Sequence, residues 1–308
     1  SFLDYSNFKD NTSLNASYSN GGYDGYVAKY NEDGELQWSN TFGGLFTDEV
    51  SSFKLDNNGD VIVSAKITRT ATFSDGGELG DVNNNVDYRY AVIFKLDGNT
   101  GELLWKTYTG LRIDQGGQAN SSILIKNDGT IVSFISSWTW NQNQEKLSIS
   151  EVNPSNGDMN LIVEEVYQSG ADYQGFMQNV YDVTSDSSDN IYVVGQSYFY
   201  DEGIYRSFIR KYGTDYNLVW EVPIVGSNTY VLDIEYDHIN NLIYIAGYGT
   251  GIDFNPLGDP YTVTNPDSDG TFFASYNTSG TVESVHIYAT SSVNHVDSGT
   301  TGLKIVEN

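Results

Sequence analysis

Very few residues in this chain could carry hydrolytic or metal chemistry. His238, His286 and His295 are the only histidines, and none forms a metal-binding pair on a helix or stands beside a nucleophile motif. Acids are abundant. With 41 Asp and Glu, some pairs fall by chance at the ~5 to 9.5 Å that glycoside cleavage needs, so the acids are read as a solvated face. No catalytic residue and no metal ligand is assigned. The turn DNNGD at 56–60 offers Asp56, Asn58 and Asp60 at alternate positions, the hard oxygens that calcium prefers. No twelve-residue loop ending in Glu follows, and tight turns favour the same residues. The expectation is no required cofactor, with calcium as a minor alternative. A ligand site would more readily come from aromatics among polar amides. SSWTWNQNQ at 136–144, YQSGADYQGF at 167–176 and YFYDEGIYR at 198–206 place Trp138, Trp140 and Tyr173 in such settings. Rings that stack on sugar faces beside hydrogen-bonding amides make a carbohydrate site; packing at sheet edges is the alternative. The ligand-binding residues themselves stay unknown at this level.

Composition narrows the partners. Fifteen Lys and Arg against 41 Asp and Glu give a net charge of −26, which repels nucleic acid and anionic membranes. The 24 Tyr, 14 Phe and 5 Trp are far more core material than a disordered acidic segment carries. There is no cysteine, so disulfides, thiol catalysis and Cys-bound metals are excluded. No apolar run approaches the ~18 residues of a membrane-spanning helix, and the stretch that starts at Ser1 lacks a basic segment followed by an apolar one; a removed signal would leave no trace. Glycans or extracellular proteins are the expected partners, with self-association as a further option. Sequons at Asn11, Asn15, Asn120 and Asn277 are expected by chance in a chain rich in Asn and Ser.

The positioning elements read as strands throughout. Val61–Ala65, Ile131–Ile135, Ile191–Gly195 and Ile243–Gly247 are short β-branched runs. Each is entered through a turn: DNNGD at 56–60, KNDGT at 126–130, DSSDN at 186–190 and DHINN at 237–241. Such turns take residues that tolerate positive φ and join two strands as a hairpin. A second unit is an apolar run, a turn and a strand closing on Trp. Its copies are YVAKYNEDGELQW at 26–38, VIFKLDGNTGELLW at 92–105 and FIRKYGTDYNLVW at 208–220, with weaker ones at 149–161 and 273–284. Taking Lys29, Lys95, Glu151, Lys211 and Ser275 as equivalent, the spacings are 66, 56, 60 and 64 residues. The two units alternate, so one of each gives four strands. A fixed period of supersecondary units predicts radial repetition. The expected fold is an all-β propeller of four-stranded blades, about five in this chain. It is read as one domain over 1–308, with blade boundaries near 45, 115, 175, 228 and 290. Trp38, Trp105 and Trp220 would pack between blades. Leu303, Lys304 and Ile305 match Phe53, Lys54 and Leu55, so the chain ends where a next strand would begin. Either terminal strands share a blade, or the chain is a segment of a larger ring or multidomain protein; the segment is favoured.

DSSDNIYVVG at 186–195 followed by FIRKYGTDYNLVW at 208–220, and GIDFNPLGDPYTV at 251–263 followed by DGTFFASYNTSG at 269–280, resemble the bacterial β-propeller repeats called SBBP repeats. The resemblance covers nearly the whole chain. It implies a secreted or surface-attached bacterial protein and names a scaffold with no catalytic residues to carry over. LDGNTGELLWKTYTG at 96–110 also resembles the tryptophan-docking repeat of propellers that hold pyrroloquinoline quinone. There the Trp packs between blades. One good copy and no cysteine make the resemblance structural rather than redox. A sialidase-type aspartate box is not matched, since DSDGTFF at 267–273 lacks its spacing. The function favoured is a non-enzymatic extracellular module for adhesion to glycans or proteins. The alternatives are a propeller-based glycan hydrolase or lyase, and a structural repeat of an extracellular assembly.

Overall fold

The structure, a computed structural model, describes residues 5–7, 13–15, 22–80, 88–113, 119–139, 144–168, 179–199, 204–255, 257–259, 261–263 and 270–288. Every regular element among them is a strand, so the chain is all-β. Contacts divide it into two compact units, Ser1–Val166 and Tyr167–Asn308.

In the first unit, Gly25–Tyr30 and Leu36–Phe42 form a hairpin. Next comes an antiparallel four-stranded meander of Glu49–Leu55, Val61–Thr68, Arg89–Leu96 and Leu103–Ile113. A second meander comprises Ala119–Ile125, Ile131–Thr139, Gln144–Val152 and Met159–Gln168. Strand Val61–Thr68 is buried on both faces, most evidently at its apolar start, Val61–Val63. Val61, Val63, Ala65 and Ile67 pack with Trp38, Phe42, Phe73 and Phe94 on one face, whereas Ile62 and Ile93 pack with Ile123 and Ile131 on the other. A strand buried on both faces loses the polar–apolar alternation of a half-exposed one. Phe42, Phe73 and Phe94 contact one another at centroid distances of 5.1 to 5.6 Å. A small hairpin, Thr70–Thr72 with Glu78–Gly80, is inserted between the second and third strands of the first meander.

The second unit is one eight-stranded sheet. Its first strands are Asn179–Ser185, Ile191–Phe199 and Ile204–Tyr212. The next, Leu218–Asp237, is 20 residues long and serves two neighbours. Leu218–Ile224 pairs back to Ile204–Tyr212, and Val225–Asp237 pairs forward to Leu242–Asp253. The change of partner coincides with register shifts between Val225 and Tyr230, where bulges bend and twist a strand. The expected boundary near 228 thus lies within a continuous strand. Gly270–Asn277 and Val282–Tyr288 complete the seven-stranded meander, and the eighth strand, Thr262–Val263, pairs with the end of Leu242–Asp253. Its core gathers Tyr192, Ile209, Ile234, Ile245, Phe254 and Phe272.

Tryptophan ties a strand to a later turn at three places, between sheets at Trp38 and Trp105 and within the eight-stranded sheet at Trp220. Trp38 Nε1 donates to Gly98 O at 3.1 Å, Trp105 Nε1 to Pro154 O at 3.0 Å and Trp220 Nε1 to Thr278 O at 3.2 Å. Each ring lies over a glycine of the turn that accepts its proton. A Cβ on Gly101 or Gly157 would sit 2.7 Å from the Trp38 or Trp105 ring, and both glycines have positive φ, 73° and 77°. Glycine is therefore required twice, for backbone and for space. In two cases a lysine caps the same carbonyl: Lys29 Nζ reaches Gly98 O at 2.6 Å and Lys211 Nζ reaches Thr278 O at 3.2 Å. The corresponding position of the third repeat is Leu161, which is exposed.

Replacing Trp38 by Ala should cost about 3 to 5 kcal/mol in equilibrium unfolding, whereas Leu161→Ala should stay within about 0.5 kcal/mol. Equal losses at the two positions would show that the indole contact is not what joins the sheets.

Candidate functional site

An antiparallel meander sorts its connections by end. First-to-second and third-to-fourth turns lie at one end of each sheet; second-to-third connections and links to the following sheet lie at the other. The two ends differ in chemistry.

The first end is built from short Asx turns whose carboxylates are committed. Asp56 Oδ1 accepts from the N–H groups of Asn58 and Asp60 at 2.8 and 3.0 Å. Lys95 Nζ stands 2.8 Å from Asp56 and 3.0 Å from Asp60. Burial opposes the charge on Asp56, but Lys95 and these two N–H groups outweigh it and hold the carboxyl below the usual carboxylate range. An ammonium thus occupies the space between the two acids expected to attract calcium. Asp186 Oδ1 accepts from Ser188 N and Asn190 N, and Asp237 Oδ1 from Ile239 N and Asn240 N. Among the described residues no group of three or more His, Asp or Glu is arranged to hold a metal ion.

This end also carries a Ser–His contact that spacing did not reveal, since its members come from turns 51 residues apart. Ser187 Oγ lies 3.1 Å from His238 Nδ1, with the imidazole edge-on to Tyr236 at 4.9 Å. A nucleophilic serine needs oxyanion donors as well as a base. The adjoining N–H groups of Ser188, Asn190, Ile239 and Asn240 all donate to Asp186 or Asp237. The exposed pair is therefore a tie between two turns. His286 lies on strand Val282–Tyr288 opposite Phe273 and is exposed; His295 is outside the described residues.

The second end holds a buried acid in the first unit. Asp24 and Asp48 are fully buried. Asp48 Oδ1 accepts from Thr68 N at 2.8 Å and Oδ2 from Gly44 N at 2.9 Å, joining the hairpin's exit to the end of strand Val61–Thr68. The Gly43–Gly44 pair makes this approach possible, because a Cβ on Gly43 would lie 2.2 Å from Asp24 Oδ1 and one on Gly44 2.0 Å from Thr70 O. Burial pushes the Asp48 carboxyl up to about 8; the Thr68 and Gly44 N–H groups oppose the shift, and the charges of Asp24 and Glu49 add to it. With no exposed surface this acid reaches no substrate, so its role is to hold the connection.

In the second unit the same end is polar and aromatic. Tyr181 Oη donates to Gln196 Oε1 at 3.1 Å, and Gln196 Nε2 donates to Thr229 O at 3.4 Å. Ser207 Oγ donates to the same carbonyl at 2.9 Å. Beside it Tyr230 and Tyr248 are paired across the sheet and stacked, with centroids 4.8 Å apart and planes 24° apart. Burial raises the Tyr181 phenol above the ordinary tyrosine range, and the nearby phenols of Tyr230, Tyr248 and Tyr205 add to it. Of these tyrosines only Tyr205 lies in a stretch singled out from the sequence, YFYDEGIYR at 198–206. Tyr181, Tyr230 and Tyr248 sit in otherwise ordinary strand sequence, and only the fold collects them.

The aromatic segments expected to bind sugar are partly placed. Trp138 is on strand Ile131–Thr139 opposite Glu145, and Tyr198 pairs with Tyr205 beside the 200–203 connection. Both are at the second end. Trp140 and Tyr173 lie outside the described residues. Asn277 is held in a turn, its Oδ1 accepting from Ser279 N and Thr281 N.

No protein-family model matches the sequence, and no curated protein sequence does. Solved structures resembling it include two of the α-L-arabinofuranosidase Arb93A from Fusarium graminearum, each in complex with an iminosugar inhibitor. The first, a mutant, has a TM-score of 0.44 at 8% identity and covers 77% of this chain; the chain spans 66% of its length, just under two thirds. The second has a TM-score of 0.47 at 8% identity, covering 87% of this chain and 71% of its own. Similarity this low carries no argument about activity.

Two outcomes are expected here. Asp48 has a folded pKa of about 8 against about 3.9 when unfolded. The folded state therefore holds a proton that the unfolded state has released, and the stability from Asp48 is full below about pH 4 and lost as pH rises through about 8. Asp48→Asn should remove that part of the pH dependence, so the melting-temperature gap between wild type and variant changes from pH 5 to pH 9. A constant gap would disprove the linkage. Chelation with EDTA should leave the melting temperature unchanged, because Lys95 already balances Asp56 and Asp60; a drop of several degrees would show that a divalent cation is held.

Proposed function

We propose that the chain is a β-propeller repeat module of a secreted or cell-surface protein, which binds glycan through the second, loop-bearing end of its sheets without turning it over. The observation that carries this reading is the difference between the two ends. Short turns with self-satisfied Asp residues close one end. At the other, the described residues of the second unit bring Tyr181, Gln196, Tyr230 and Tyr248 together. Binding residues concentrate on loops held by a rigid scaffold, and sugars call for ring faces beside hydrogen-bonding groups. The four-stranded meanders and the repeated tryptophan contacts support the propeller, in which each sheet buries its face against the next. The SBBP resemblance supports the bacterial, extracellular setting.

A propeller glycan hydrolase is the second reading. Both solved structures named above are described as arabinofuranosidases.

A printed array of oligosaccharides, followed by chromatography of the bound sugars after prolonged incubation, tests the proposal. Specific retention with sugars recovered intact is expected. Recovery of shorter products would establish the hydrolase instead, and absence of any retained glycan would defeat both readings.

A further inference from the structure

We infer that Tyr181, Tyr205, Tyr230 and Tyr248 of the second unit form a binding site for a neutral oligosaccharide, with Gln196 as the residue that positions Tyr181. The inference rests on the glycan-binding reading above and gives it a location and a ligand class.

Register and hydrogen bonding bring these residues together. Gln196 and Ser207 are opposite one another on neighbouring strands, as are Tyr198 and Tyr205 two residues further toward the loop. Directly opposed residues share a face, and so do residues two apart. Tyr205 therefore rises from the same face as Gln196 and Ser207, beyond them toward the second end. That face meets the bend of strand Leu218–Asp237, because both Gln196 and Ser207 donate to Thr229 O. Tyr230 follows in the chain, stacked on Tyr248. Tyr181 closes the group through its bond to Gln196. The phenols of Tyr205, Tyr230 and Tyr248 are close enough to act on Tyr181 electrostatically.

The chemistry of the group selects the ligand. Tyr205 is 43% exposed, and the other three are half-buried. An aromatic left partly in water offers an apolar face and a hydroxyl together, which matches the C–H face and the hydroxyl rim of a pyranose or furanose ring. Tyr181 Oη donates to Gln196 and is hydrogen-bonded to the Asn179 side chain, so its hydroxyl is held in place by the protein and its ring is what it presents. Gln196 spends both ends of its amide inside the protein, on Tyr181 and on Thr229, and is itself 2% exposed. It fixes the tyrosine rather than touching ligand. The chain's net charge of −26 disfavours uronic, sialylated or sulfated sugars through like-charge repulsion. A neutral pentose or hexose oligomer is the class left.

The test is titration calorimetry with the best neutral oligosaccharide from the array, on wild type, Tyr205→Ala, Tyr230→Ala, Tyr230→Phe and Tyr23→Ala. Tyr23 is 49% exposed in the first unit and serves as a control for surface aromatics. Far-UV circular dichroism and melting temperature verify the fold of each variant. Tyr205→Ala and Tyr230→Ala are expected to weaken binding at least about tenfold, equivalent to 1.4 kcal/mol. Tyr230→Phe should keep most of the stacking contribution, and Tyr23→Ala should bind as wild type does. Wild-type binding that persists unchanged in the folded Tyr205 and Tyr230 variants would overturn this site while leaving the glycan-binding reading intact. Wild type that binds only acidic glycans would overturn the ligand class. Wild type that binds no glycan, or a protein alone, would overturn this inference together with the reading it rests on.

Discussion

An indole taken out of water must bury a large ring and still find an acceptor for its one N–H. In this protein a single arrangement meets both demands three times. A strand that closes on Trp38, Trp105 or Trp220 delivers its ring to a glycine in the next turn and its proton to a carbonyl of that same turn. Because the glycine has positive φ, the turn has the shape that leaves its carbonyl pointing at the indole. At Trp38 and Trp105 the contact fixes the distance between one sheet and the next at the turn end. Interior packing on strands such as Val61–Thr68, buried on both faces, depends on that spacing. Lys29 and Lys211, converging on two of the same carbonyls, add a charged donor to an acceptor already polarised by the indole.

Polar groups at the two ends of the sheets are spent differently. At the turn end, acids face inward to backbone N–H groups and Lys95, and so the strongly acidic composition is partly structural. At the loop end, one buried acid ties a connection in the first unit, while in the second unit a hydrogen-bonded chain from Tyr181 through Gln196 to Thr229 lies among tyrosines that stay partly exposed. Rigidity on one side is what permits a defined arrangement on the other.

The sequence made the all-β class legible, because β-branched runs bounded by Asp, Asn and Gly leave little room for helix. The turns at 56–60, 126–130, 186–190 and 237–241 do join paired strands. The packing role of tryptophan was legible from its repetition, and the glycine partner was present at matching offsets, in Gly101, Gly157 and Gly280. Other features were not readable because their signal is long-range. Asp48 looks like any surface acid until Gly43 and Gly44 bring it under Thr68. Ser187 and His238 belong to separate turns. Tyr181, Tyr205, Tyr230 and Tyr248 come from four strands, and their convergence depends on register. The shared strand Leu218–Asp237 was also hidden, since SNTY at 227–230 reads as a break, whereas the bulges there carry the chain onward without one.

That continuous strand sets the grain at which the protein can be rearranged. Elsewhere a connection such as 43–48 separates one set of strands from the next, so no strand there belongs to two ladders. Between Leu218 and Asp237 no such seam exists: severing the backbone would take the outer strand from one half-sheet and the inner strand from the other. Gene duplication can copy the sixty-residue period, but exchange or permutation must move these last two repeats as one piece. The hereditary unit and the mechanical unit of the chain are therefore different lengths.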